Sequence, residues 1–271
     1  MAKGYHQEKG IDYTDTFSPV VKQQTIRVIL CLAIQQGWSL KQLDVSNAFL
    51  YGNLTETVYM KQPPGFHDPA YAHYVCQLHK SLYGLKQVPR ALYTLLSTFL
   101  TDKGFKCSTA DTLLFILHSP EYTMILLVYV DDLVITESSS SAVDSLISEM
   151  SHTFAMKDLG RLTYFLGLEV TQSSAGLLLH HTKCEVDLLH KSGMTNSKPV
   201  TMPSVTKYKK ESADVANSFS NPTFLRSLVG ALQYLTVTRP DLQYSVNNLC
   251  QRMHSLTNGD YANLKRTLKY I

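Results

Sequence analysis

The sequence predicts an α+β fold in which antiparallel strands alternate with amphipathic helices. Three observations predict it. Two apolar runs, 112–117 and 123–130, stand close together, and a third, 133–136, follows across Asp131-Asp132. Short apolar runs separated by turn-forming residues read as hairpin strands. Apolar residues also recur at helical spacing, as in Ile26, Ile29, Leu30 and Ala33, and again in Leu92, Leu95, Leu96, Phe99 and Leu100. Finally, the rear third carries two further helical stripes.

The elements follow in order. Residues 25–36 read as a helix stopped by Gly37. Residues 38–45 read as a strand running into Asp44. Short extended pieces follow at 58–60, before Pro63-Pro64-Gly65, and at 75–78. A helix runs from Pro89 to a stop at Gly104. The runs around Asp131-Asp132 predict a hairpin with the two Asp at its turn, since Asp tolerates turn geometry. Ser141 with Asp144 resembles a capping box for a helix whose stripe is Val143, Leu146, Ile147 and Met150. Residues 163–170 and 177–181 predict a second hairpin, and 184–191 a short helix before Gly193. Residues 195–221 are rich in Ser, Thr, Lys and Pro, with little periodicity, and read as a linker or mobile loop. Leu225, Leu228, Val229, Leu232 and Leu235 then mark one helix. Pro240 opens the next, which carries Leu242, Val246, Leu249, Cys250 and Met253. Helical pattern persists to residue 271 without a stop signal, which suggests a longer parent chain.

Composition narrows the function. The 271 residues are 44% hydrophobic and 17% charged, enough for a sizeable core and against disorder. The longest apolar run, 124–130, is far short of the ~20 residues of a membrane-spanning helix, and the start has no apolar leader segment. No membrane association or secretion is therefore expected. Five widely spaced cysteines without a CxxC fit a reduced, intracellular chain better than a disulfide or zinc scaffold. His180-His181, the one adjacent histidine pair, would point to opposite faces of a strand. Charge is uneven. Residues 183–271 hold 12 Lys/Arg against 6 Asp/Glu, and the remainder 13 against 16. An acidic front and a basic rear suit a metal-dependent site beside a polyanion-binding surface, and equally a set of solvated lysines.

The chemistry-bearing signal is Tyr129-Val130-Asp131-Asp132 between two apolar runs. Neighbouring carboxylates at a hairpin tip repel, and a divalent cation with a taste for hard oxygen ligands would relieve that. Asp44, at the end of another strand, is the second carboxylate in such company. Alone it reads as a cap for the following helix. Convergence with Asp131 would make a site for two-metal phosphoryl transfer, which periodicity cannot demonstrate.

These residues resemble a known family. Tyr129-Val130-Asp131-Asp132 is similar to the YxDD box of reverse transcriptases. The ordered set Phe17-Ser18-Pro19-Val20-Val21-Lys22, Gln42-Leu43-Asp44-Val45-Ser46-Asn47-Ala48-Phe49-Leu50, Gln62-Pro63-Pro64-Gly65-Phe66, Leu82-Tyr83-Gly84-Leu85-Lys86-Gln87-Val88-Pro89-Arg90-Ala91, Met156-Lys157-Asp158-Leu159-Gly160, Tyr164-Phe165-Leu166-Gly167 and Thr238-Arg239-Pro240-Asp241 resembles the polymerase of copia-type long-terminal-repeat retrotransposons. The resemblance implies a palm whose antiparallel sheet carries helices on one face, partial fingers and a helical thumb. It implies a polymerase core over 1–182 and a basic, thumb-like region over 183–271, with the linker around 195–221. It implies RNA-directed DNA synthesis with two Mg²⁺ ions, for which Mn²⁺ could substitute, held by Asp44, Asp131, Asp132 and the Val45 carbonyl. Ser46, Phe49, Gln87, Tyr129 and Val130, with Val45, would contact the nucleotide, Phe49 excluding a ribose 2′-OH. Leu166 and Gly167 match a primer grip. Implied partners are an RNA or DNA template with its primer, deoxynucleotides, and covalently linked integrase and ribonuclease H domains. The implied location is cytoplasmic, in virus-like particles, or nuclear.

The chain also departs from the family pattern. The basic segment expected upstream is missing, with Lys3 and Lys9 as weak replacements, and the chain stops before a ribonuclease H domain. Leu92 stands where Trp is common, Glu137 where Gly is, and Phe224 where Tyr is. Two other readings follow: a truncated remnant that at most binds nucleic acid, and an unrelated metal-dependent phosphotransferase using the same carboxylates.

Overall fold

The computed structural model describes residues 2–17, 21–173, 176–204 and 217–271. Ser18, Pro19 and Val20 of the first motif, and much of the 195–221 stretch, lie outside the described residues. The chain divides into two compact units, Met1–Thr163 and Tyr164–Ile271. The charge-based division at 182/183 follows composition, whereas this one follows a small sheet that belongs with the rear helices.

In the first unit the elements are α1 (Gln23–Gln36), β1 (Ser39–Val45), β2 (Asn53–Lys61), β3 (Val75–Lys80), α2 (Val88–Asp102), β4 (Lys106–Cys107), β5 (Leu114–His118), β6 (Thr123–Tyr129), β7 (Asp132–Glu137), α3 (Ser140–Thr153) and β8 (Met156–Arg161). Six strands form one antiparallel sheet in the order β4-β5-β6-β7-β1-β8, and β2 pairs with β3 separately. The inversion of chain order that inserts β1 between β7 and β8 is what brings Asp44 to the Asp131-Asp132 hairpin.

Alternation sorts the side chains of this sheet. Leu43 and Val45 of β1, Met124, Leu126 and Val128 of β6, and Leu133 and Ile135 of β7 point to one face. They pack there against Leu92, Leu96 and Leu100 of α2 and Val143, Leu146 and Met150 of α3. Gln42, Asp44 and Asp132 are left on the other face. A one-residue slip would turn this set away from the two helices, which fixes the register.

Asp111 anchors the start of α1. Its Oδ2 accepts from the Lys22 backbone N–H at 3.1 Å and the Thr25 hydroxyl at 2.7 Å, and its Oδ1 from Leu113 N–H at 3.1 Å. Gly37, with φ 66°, ends that helix as expected.

The second unit holds β9 (Tyr164–Phe165), β10 (Leu168–Ser173), β11 (Gly176–His180), α4 (Thr182–Ser192), α5 (Pro222–Leu235), α6 (Gln243–Gln251) and α7 (Asn258–Tyr270). Its core joins Leu188, the full α5 stripe, Leu242, Val246, Leu249, Leu264 and Leu268. Asn221 caps α5, accepting from Phe224 N–H at 3.1 Å with Pro222 at the first helical position. Thr257 and Asp260 form a reciprocal capping box on α7.

Three expectations change, and one strand is new. The first hairpin turns at Val130-Asp131, not at Asp131-Asp132, because Asp132 is already in β7, opposite Tyr129. The capping box at Ser141 and Asp144 is not made: the α3 N-cap is Ser139, without a side-chain cap, and Asp144 instead accepts from Lys41 at 2.7 Å. The run 163–170 is not one strand, since Leu166 and Gly167 make a tight turn between β9 and β10. Strand β8 has no counterpart among the sequence readings. It is an exposed edge strand without alternation, and pairing with β1 alone defines it.

Candidate active site

Asp44 and Asp132 are direct partners across the β1–β7 ladder. Residues paired this way carry their side chains on the same face, with Cβ atoms ~4.5–5.5 Å apart. Asp131 sits on the adjoining turn, and its carbonyl accepts from Val45 N–H at 2.9 Å, which ties the turn to the end of β1. Asp44, distant in sequence, is thereby brought to the Asp131-Asp132 pair at one end of the sheet. Gln42, two residues before Asp44 and buried, points its Nε2 at Asp132 Oδ1, 3.4 Å away. Burial pushes the Asp132 carboxyl above the usual range, the Gln42 amide opposes this, and the charges of Asp131 and Asp44 add to it.

The turn itself is strained. Val130 has φ 56°, and Asp131 is not among the residues with positive φ. Positive φ at the first central position alone is the pattern of a II′ hairpin turn, where Gly is the usual occupant. A β-branched residue there is an outlier, and such strain concentrates at functional sites. Tyr129 and Val130 are half-buried beside it. Asn47, two residues after Val45, is a second positive-φ residue, at 55°.

Among the described residues, no three His, Cys, Asp or Glu side chains close into a set that could hold a metal ion. The expected three-carboxylate cage is thus not preformed. The donor chemistry nonetheless fits Mg²⁺, which takes only one or two carboxylates and draws its other ligands from water and phosphate. Such an ion would offset the charges of Asp131 and Asp44, which add to the larger effect of burial on Asp132.

The remaining predicted residues divide by environment. The Val45 side chain is in the core, and Ser46 N–H donates to the Ala155 carbonyl at 2.8 Å. Phe49 lies in a short 3-10 turn, Ala48–Leu50, where it packs on two buried clusters. The Tyr83 ring meets it edge-on, with centroids 4.8 Å apart. Gln87 is neither at the surface nor free. It is 3% exposed, its Oε1 accepts from Gln7 Nε2 at 3.0 Å, and its Nε2 donates to the Asp12 carbonyl at 3.2 Å. A primary amide has two N–H groups, so one remains beyond that bond. Lys86 straps the same segment, donating through Nζ to the Gln7 carbonyl at 3.0 Å.

Comparison with known proteins decides the family. The family described as Reverse transcriptase (RNA-dependent DNA polymerase) matches residues 1–206. The chain belongs to the reverse transcriptase family. It is 45% identical over its whole length to the retrovirus-related Pol polyproteins from transposons RE1 and RE2 of Arabidopsis thaliana. It is 35% identical, again over its whole length, to the Pol polyprotein from transposon TNT 1-94 of Nicotiana tabacum. Its motifs and relatives place this family member with copia-type retrotransposon polyproteins. The chain spans 18% of the length of the first two and 21% of the third.

In this chain, Leu166 and Gly167 belong to the second unit, as the turn between β9 and β10, with φ 53° and 78°. Sequence reasoning missed Gln42 and Tyr83. Gln42 had a signal, since a polar residue two positions from Asp44 must share its face. Tyr83 stood inside a motif whose stacking partner only the fold reveals. No helix among the described residues is long and apolar enough to cross a membrane.

Proposed function

We propose that this chain is an RNA-directed DNA polymerase core, joining a deoxynucleotide to a primer 3′-OH on an RNA or DNA template. The observation that carries the reading is the register that sets Asp44 opposite Asp132 with Asp131 on the next turn. On this reading the six-stranded sheet with α2 and α3 is the palm, β2 and β3 belong to partial fingers, and the helices of the basic rear region form a thumb.

The reaction forms a bond from the primer oxygen to the α-phosphorus, breaks the bond to pyrophosphate, and removes the hydroxyl proton. Asp44, Asp131, Asp132 and the Val45 carbonyl would hold Mg²⁺, which when bound supplies charge neutralisation and a more acidic 3′-OH. Gln42 orients the Asp132 carboxylate from within the sheet. The Phe49 ring, braced by Tyr83, sets a wall that a ribose 2′-OH would strike. Tyr129, Val130 and Ser46 border the nucleotide, and the remaining Gln87 N–H faces it. Template pairing supplies the sequence information, so the protein needs backbone contacts and shape recognition rather than base-edge contacts. Linked integrase and ribonuclease H domains would complete the polyprotein.

Primer extension on an RNA template with Mg²⁺ tests the reading. Template-directed incorporation is expected, and Asp131→Asn should lower it by at least about 10³-fold, since a fixed metal and its charge carry most of such catalysis. Binding of primer–template without incorporation would instead favour the non-catalytic remnant. Phosphate release independent of template would favour an unrelated phosphotransferase.

A further inference from the structure

We infer that Tyr234 is a positioning residue: it holds the Leu166–Gly167 turn in its strained shape and so sets how firmly a primer terminus is gripped. The grip itself rests on the polymerase reading above; the hold on the turn does not.

The turn joins two short strands, with Phe165 paired to Leu168. Both central residues have positive φ, 53° at Leu166 and 78° at Gly167, the pattern of a I′ turn. Asn-Gly is the favoured pair there, and leucine is a poor occupant of the left-handed region. Strand β9 is two residues long, so its ladder can contribute little to holding that shape.

Tyr234, in the last turn of α5, supplies the hold. Its hydroxyl donates to the Leu166 carbonyl at 2.6 Å. Its ring covers Gly167 closely enough that a Cβ on that residue would stand 2.8 Å from Tyr234 Cε1. Gly167 is thus required twice, by its φ and by the ring above it.

Tyr234 is fixed in turn. The His181 ring meets it at 5.7 Å and 66°, and His181, 1% exposed, shares a 2.7 Å hydrogen bond with the Thr238 hydroxyl. Thr238 opens the Thr238-Arg239-Pro240-Asp241 motif, which none of the catalytic roles uses. Arg239 donates to Asp241 at 2.9 Å and to Glu185 of α4 at 3.2 Å. The motif therefore clamps the end of α5 to the start of α4, and through His181 and Tyr234 the clamp reaches the turn.

Tyr234→Phe tests this, because it keeps the ring and removes only the hydroxyl. Amide exchange across residues 166–168, read by mass spectrometry, should speed up about tenfold for one lost hydrogen bond. The KM for primer–template should rise by a similar factor, with kcat and the KM for deoxynucleotide within about twofold. Gly167→Ala should depress the melting temperature less in a Tyr234→Ala background than in the parent, because the ring it strikes is gone. Unchanged exchange in Tyr234→Phe overturns the inference. Faster exchange with an unchanged primer–template KM overturns the primer role. A parent chain that neither binds nor extends a primer–template overturns the polymerase reading, and the primer role with it, while exchange still decides whether Tyr234 holds the turn.

Discussion

Two hairpin turns, one in each unit, carry residues of the family motifs in strained backbone, and they are held in different ways. The Val130-Asp131 turn sits between β6 and β7, both buried, and β1 adds a hydrogen bond from Val45 N–H to the Asp131 carbonyl. The Leu166-Gly167 turn sits beside a two-residue strand and depends on the Tyr234 side chain. A central sheet can hold an unfavourable φ with backbone alone, whereas a turn on a short ribbon needs a side chain from a helix. The first arrangement leaves side chains at the tip free for chemistry; the second leaves backbone, with glycine, for close approach of a ligand.

The largest expected effect breaks the second turn. Gly167→Ala forces a side chain into positive φ and against Tyr234, and should cost about 2–3 kcal/mol. For a chain of this size that is a melting-temperature loss of about 5 °C or more. A loss under 1 °C in thermal unfolding would mean that the ring does not confine the turn. Next, glycine at each strained position should relieve it. Val130→Gly should gain about 1 kcal/mol, and Leu166→Gly less, because a β-branched residue is the poorer occupant of positive φ. Denaturant midpoints of the two variants give the order directly, and the reverse order would sink the comparison.

A smaller effect belongs to the first turn alone. Asp132→Asn removes one of three neighbouring negative charges from a half-buried site. Without divalent cation it should melt about 1–3 °C above the parent, in line with ~0.5–1 kcal/mol of relieved repulsion. Millimolar Mg²⁺ should raise the parent's melting temperature and close that gap. A variant that melts below the parent in chelator would show that the carboxylates do not press on one another.

How much of this was legible beforehand depends on where the information resides. The stripes of α1, α2 and α5 were readable because each buries one face, so composition repeats with the helix. The carboxylates were readable as motif, but their convergence was not. It depends on β1 lying between β7 and β8, a long-range pairing that leaves no mark on local periodicity. Strand β8 was invisible for the same reason, and the Val130-Asp131 turn was misplaced by one residue because Asp is the better turn former by propensity. Tertiary structure overrode propensity there, putting valine in the strained position and Asp132 in the ladder. Gln87 illustrates a further limit: a glutamine with surface composition is buried because Gln7 and Asp12, some eighty residues away, complete its hydrogen bonds.

The smallest effect separates the units by pH. In the second unit, burial holds the His181 imidazole below the ordinary histidine value, with Glu169 opposing and His180 adding to the shift. The unfolded chain then binds the proton more readily than the folded one, so this contribution is present above about pH 6.5 and is lost as pH falls below it. In the first unit the sign is opposite. Burial pushes Glu137 above the usual carboxylate range, opposed by the Ser39 hydroxyl and Lys41, and its Oε2 has no hydrogen-bond partner. The folded unit binds that proton more readily, so its contribution is present at low pH and is lost as pH rises through the Glu137 pKa. Acidification from pH 7 to 5.5 should therefore loosen residues 164–271 while leaving residues 1–163 unchanged or tighter. Exchange measured segment by segment, corrected for the intrinsic pH dependence, reads both units in one experiment. His181→Gln should remove the loosening, because its neutral amide has no proton to gain in this range. If acid loosened both units equally in the parent, or the second unit to the same extent in His181→Gln, the buried imidazole would not be the group responsible.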